Sequence, residues 1–135
     1  MESVHREIRL KQKDIVLLPV PFSDQSSRKV RPAIVISNDS INSTSEDLIL
    51  VPLTSVLKDV PYSILLNQKD LVEGKLITLS RIRVDKIFTA HKSLIKLKIG
   101  IIKNDILNSI KVKLSKIIWE LSISIIISRS SLFLV

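Results

Sequence analysis

The chain has 135 residues, no cysteine, and 21 Lys and Arg against 13 Asp and Glu, a formal net charge of +8. That length suits one domain with a stable core, and the missing thiols exclude disulfides, thiolate metal sites and a cysteine nucleophile. The charge favours an acidic partner, whether nucleic acid, an acidic protein or a membrane surface, without separating these from a merely basic protein.

Residues 1–13, "MESVHREIRLKQK", read as a charged arm without the apolar core of a signal peptide. "DIVLLPVPF" (14–22) reads as a strand broken by Pro19 and Pro21, and "SDQSSRKV" (23–30) as a basic, turn-forming loop. Pro32 holds Arg31 extended and launches a second strand, "AIVISND" (33–39), apolar enough to be covered on both faces. "SINSTSED" (40–47) reads as a polar loop, "LILVPLTS" (48–55) and "YSILLN" (62–67) as strands, and the surroundings of Gly74 as a turn. Residues 75–92 alternate imperfectly, which predicts two strand segments separated by a bend.

From 104 the period changes. Ile106, Ile110, Leu114, Ile117 and Leu121 recur at spacings of four and three, the signature of a helix, with Asn104 as its N-cap and Asp105 in the first turn. Residues 122–135 form an apolar tail interrupted by serines and Arg129, short of the ~18 apolar residues of a spanning helix. A cytoplasmic protein without membrane contact is expected. Several strands and one late helix predict a single α+β domain over 1–135, built on a small, strongly bent sheet.

Three segments in order carry a resemblance. "KDIVLLPVPFSDQSSRKVRPAIVISND", "LILVPLTS" and "SRIRVDKIFTAHKSLI" resemble the three signatures of the MazF/PemK family of toxin endoribonucleases, over roughly residues 12 to 118. The resemblance implies a small SH3-like β-barrel with a C-terminal helix, working as a homodimer. It implies cleavage of single-stranded RNA without metal or cofactor, the 2′-hydroxyl attacking the adjacent phosphorus to leave a 2′,3′-cyclic phosphate and a 5′-hydroxyl. It also implies a cognate antitoxin of the MazE type, whose acidic extended segment occupies the RNA groove.

Residue by residue, Arg31 matches the family's catalytic arginine, where a planar guanidinium can hold two oxygens of a pentacoordinate phosphorane. The plainer reading is an arginine anchoring its loop to a carboxylate. Thr54 matches the strand end that donates a hydroxyl to the scissile phosphate, with Ser55 beside it; a threonine capping a turn is the alternative. Arg83 and Asp85, at positions i and i+2 and so on one face if "RIRVDK" is a strand, match an Arg-x-Asp that assists catalysis in some members, and equally fit a structural ion pair of Asp85 with Arg83 or Lys86. Ser26, Ser27, Arg28 and Lys29 can bind RNA backbone, or form a solvated basic loop. Lys86 is a further candidate for RNA.

Two departures from the family stand out. The loop 23–30 has no glycine, glutamate or histidine, so it offers no imidazole for proton transfer. Around 86–92 the chain has Lys86, Phe88, His91 and Lys92, with Phe88 read as core rather than as a stacking platform. No residue stands out as a general base. An inactive relative that only binds RNA or an antitoxin is one alternative. Another is a poison of DNA gyrase, which shares the fold; Trp119 placed internally before "SSLFLV" argues against it. Trp119 itself reads as a core or interface anchor.

Overall fold

The computed structural model describes residues 8–20 and 29–119. They form eight strands and two helices: β1 Asp14–Pro19, β2 Val30–Val35, α1 Asp39–Thr44, β3 Asp47–Thr54, β4 Ser63–Leu66, β5 Leu71–Gly74, β6 Ser80–Arg83, β7 Phe88–His91, β8 Leu97–Ile102 and α2 Asn104–Trp119. The strands make one antiparallel sheet in the order β4-β6-β3-β2-β1-β8-β5, with β7 also pairing with β3. The sheet curls into an SH3-like half-barrel, and α2 packs against it, so the α+β barrel expected from the sequence is the fold observed.

The apolar runs of β1, β2 and β3 are continuous because both faces of these strands are covered. Ile15, Ile34, Val51 and Leu53 join Ile82, Val84 and Ile102 in one core cluster, together with Ile106, Leu107 and Ile110 of α2. The alternate positions Val16, Leu18, Ala33, Val35, Leu48 and Leu50 join Ala90 and Ile95 in a second. Burying each such side chain contributes about 1.5–3 kcal/mol relative to leaving it in water. A one-residue slip of β2 would exchange the two sets, so the register is tightly specified.

The helical face read from the sequence is real through Ile117, and Leu121 lies outside the described residues. Asn104 is the first helical residue rather than the cap, and its carboxamide oxygen accepts a hydrogen bond from Lys13 Nζ at 2.8 Å. The expected loop at 40–47 is mostly a helix. Asn38 caps α1 through its side-chain oxygen, which accepts from Ile41 N at 2.9 Å, and buried Asn42 donates to the Ser37 carbonyl at 2.8 Å. Two strands were not anticipated, β5 and β8. They meet where the chain's only two glycines face each other, Gly74 opposite Gly100. Gly74 has φ +92°, a left-handed conformation natural to glycine.

Trp119 is 64 % exposed at the end of α2 and takes no part in the core of the described residues. No helix among the described residues is long and apolar enough to cross a membrane.

Candidate functional site

A proline shapes the site. β2 and β3 pair from Val35↔Leu50 to Ala33↔Pro52, and there the ladder stops. Ile36 N donates to Ile49 O and bonded rungs alternate, so Ala33↔Pro52 carries no bond of its own; the next bonded rung, Pro32 opposite Leu53, would need an N–H that Pro32 lacks. The paired ladder ends there, and a groove of about 460 Å³ lies at the ends of the two strands. Continuing the register two residues past Ala33↔Pro52 sets Arg31 on β2 across from Thr54 on β3, and both line the groove.

The groove's chemistry is one-sided. Lys29 and Arg31 supply two cations, and Thr54, Ser55 and Thr78 three hydroxyls, with buried Ser80 donating its own to the Thr78 carbonyl; no described lining residue is a carboxylate. Its apolar wall includes Pro32, Leu53, Leu76, Ile77 and Ile99. Arg31 makes no ion pair with a described residue. Thr54 Oγ1 accepts the Val56 amide N–H at 3.1 Å, the turn contact foreseen as its plainer role. That bond uses a lone pair and leaves the hydroxyl proton available to a ligand.

Arg83 and Asp85 come together, though not by strand alternation. β6 ends at Arg83, and Val84–Lys86 is a 3₁₀ turn that brings the carboxylate back to the guanidinium. The pair is bidentate, Nε to Oδ1 at 2.9 Å and Nη2 to Oδ2 at 2.7 Å. The Arg83 hydrogen bonds hold Asp85 below the usual carboxylate pKa, and the same contacts raise that of Arg83. Neither residue lines the groove, and neither does Lys86. The turn they brace carries Val84 into the core cluster that α2 joins.

Ser26, Ser27 and Arg28 lie outside the described residues. Phe88 packs against the second core cluster, as read from the sequence. His91 is tied to its neighbours: its Nδ1 accepts the Ser93 amide at 3.0 Å, and Nε2 faces Glu46 Oε1 at 3.0 Å. It belongs to a separate cavity of about 850 Å³ that contains none of the sequence-predicted site residues. Among the described residues no three His, Asp or Glu side chains gather to hold a metal ion.

One residue beside the site was missed in the sequence. Arg81 stands directly opposite Thr54 in the β3–β6 ladder, on the side away from Arg31. Its alternation with Arg83 in "SRIR" was the available signal, since both fall on one face of a strand.

A curled half-barrel with a cationic groove carrying several hydroxyls at the ends of two strands defines the class: a small SH3-like barrel with a basic cleft. The sequence pattern of the family described as PemK-like, MazF-like toxin of type II toxin-antitoxin system matches residues 11–118, and the chain belongs to that family. Solved structures agree in fold. MazF from Deinococcus radiodurans superposes with TM-score 0.66 at 20 % identity, covering 82 % of this chain and 96 % of that one. A MazE–MazF complex from the same organism gives 0.65 at 18 %, covering 83 % and 97 %. A mycobacterial endoribonuclease in complex with its cognate antitoxin gives 0.65 at 17 %, covering 79 % and 92 %. A comparison with curated proteins returns no match.

Proposed function

We propose that this chain is a toxin endoribonuclease that cuts single-stranded RNA without a metal ion. The observation that carries the reading is the meeting of Arg31 and Thr54, from two different strands, in one open groove whose described lining residues include no carboxylate. Family membership and the endoribonucleases among its structural neighbours support the same activity. In the proposed reaction the ribose O2′ bonds to the adjacent phosphorus and the P–O5′ bond breaks. A base takes the 2′ proton, and the departing O5′ gains one.

Charge builds on the non-bridging oxygens as phosphorus becomes pentacoordinate. The Arg31 guanidinium holds them, and Thr54 donates its hydroxyl proton to one; preorganised donors of this kind typically matter by ~100 to 1,000-fold in rate. Lys29 and Ser55 bind the flanking backbone, with Ser26, Ser27 and Arg28 of the preceding segment extending that contact. Arg83 and Asp85 are given a bracing part. A carboxylate locked in a bidentate pair with a lowered pKa is a poor proton acceptor, and the pair supports the turn beside α2 instead. Lys86, next in that turn, is given no RNA contact.

The protein acts as a homodimer in the cytoplasm and is silenced by a MazE-like antitoxin whose acidic extended segment lies in the same groove. A net charge of +8 and the cationic groove suit both RNA and such a segment. The test is incubation of the purified protein with a long unstructured RNA in EDTA, followed by mapping of the product ends. Cyclic phosphate and 5′-hydroxyl ends are expected. Intact RNA at high excess of folded protein would refute the proposal.

A further inference from the structure

Thr54 is useful only if its hydroxyl is aimed, and the segment that aims it has little of its own to hold it. Its oxygen is fixed by the Val56 amide, yet Val56 is 64 % exposed and the following Leu57 is also exposed. Loops with so little buried apolar surface open readily unless something else anchors them.

Arg81 supplies that anchor. It stands opposite Thr54 in the β3–β6 ladder, and only 13 % of its side chain is exposed. Its Nε donates to the Leu57 carbonyl at 3.1 Å, and Nη1 donates to Ser63 Oγ at 3.1 Å. Nη1 also lies 3.4 Å from Asp59 Oδ1. Ser63 Oγ in turn donates to the Val60 carbonyl at 2.6 Å. One guanidinium thus ties two points of the segment between β3 and β4, Leu57 and Asp59, to Ser63 at the start of β4, and Leu57 is adjacent to Val56. The fixed fork of donors makes arginine suited to this, since a lysine ammonium cannot hold the same three acceptors in one plane.

We propose that Arg81 is a positioning residue for the Thr54 hydroxyl, acting through the Leu57 carbonyl and the Val56 amide. The inference rests on the reading of Thr54 as a phosphate contact. Arg81 does not touch the RNA; it sets the angle at which Thr54 does.

The experiment pairs kinetics with amide hydrogen exchange. Arg81→Ala lowers kcat for RNA cleavage by ~10 to 100-fold, the scale of a small misplacement of a reacting group, with KM changed less than about twofold. In a Thr54→Ala background the same substitution changes kcat less than about twofold, because the group it positions is already gone. Exchange of the Val56 amide rises about tenfold while the amides of Val51 and Ile82 in the core keep their protection. Arg81→Lys, which keeps the stem and one donor, gives an intermediate kcat and serves if the alanine variant does not fold. Equal losses of kcat with and without Thr54 would assign Arg81 a merely structural part and overturn the proposal. So would an unchanged Val56 amide, and that readout decides the matter even if the wild-type protein cleaves no RNA, an outcome that would remove the nuclease reading separately.

Discussion

Replacing Gly74 with alanine should cost far more than replacing Gly100, although the two face each other across the same ladder. At Gly74 the φ of +92° disfavours an L side chain, by about 1–2 kcal/mol. A Cβ there would also overlap Ile99 O and Gly100 Cα, which are backbone atoms and cannot swing aside. β5 would have to lift from β8 and give up a contact such as Lys75 N to Ile99 O, now 3.3 Å, at about 1 kcal/mol for each bond lost. The sum is about 2–3 kcal/mol, or roughly 10 °C in Tm for a domain of this size. At Gly100 a Cβ would also meet a backbone atom, Glu73 O, but at 2.9 Å, a far smaller overlap, with Leu71 Cδ2 at 3.2 Å and no left-handed backbone to strain, so about 1 kcal/mol is expected. Urea unfolding of both variants beside the wild type measures the difference. Equal costs, or a loss below about 1 kcal/mol for Gly74→Ala, would refute the reasoning. The groove should feel the change too, because Leu76, Ile77 and Thr78 line it and begin two residues after Gly74.

Three further outcomes are expected. Asn42→Ala strips buried Ser37 of the donor to its carbonyl and the acceptor of its hydroxyl proton, costing about 1–3 kcal/mol in urea unfolding, whereas Ser43→Ala on the exposed side of α1 is near neutral. Asp85→Asn costs up to about 1 kcal/mol at neutral pH, since both partners of the pair are a quarter to a third exposed. Because folding lowers the pKa of Asp85, that stabilisation is complete above the ordinary carboxylate value of ~3.9 and fades as pH falls through the lowered one; the two melting curves should therefore converge in acid. Lys29→Ala should weaken single-stranded RNA binding and reduce the logarithmic salt slope by about 0.7, measured by fluorescence anisotropy across a salt series.

The strands that carry the site were legible because their apolar content is unbroken. β1, β2 and β3 are covered on both faces, and such runs announce themselves without periodicity. β5 and β8 were not legible for the opposite reason: each contains a glycine, which reads as a turn or a weak strand until the two are seen to need each other across the ladder. α1 was missed because "DSINST" has no apolar stripe; a cap at Asn38 and one buried amide at Asn42 hold it, which is tertiary context overriding local preference. Within the site, Arg31 and Thr54 could be singled out by motif, but what joins them is a ladder ended at Pro32. For Arg83 and Asp85 the spacing fitted both a shared strand face and a turn, and only the observed turn distinguishes them. Arg81 and Arg83 look equivalent in sequence; their partners differ only once β4 and the segment before it are in place.

The central claim is that the groove between the ends of β2 and β3 is a nuclease site with Arg31 at its working end. Single-turnover cleavage of a short single-stranded RNA in EDTA, for the wild type and Arg31→Ala with folding and RNA affinity measured beside it, tests that claim most directly. A loss of ~100 to 1,000-fold in the cleavage rate, in a variant that remains folded and still binds RNA, is the predicted result. Cleavage by the folded Arg31→Ala protein at close to the wild-type rate would contradict it, and the site would have to be sought elsewhere on the barrel.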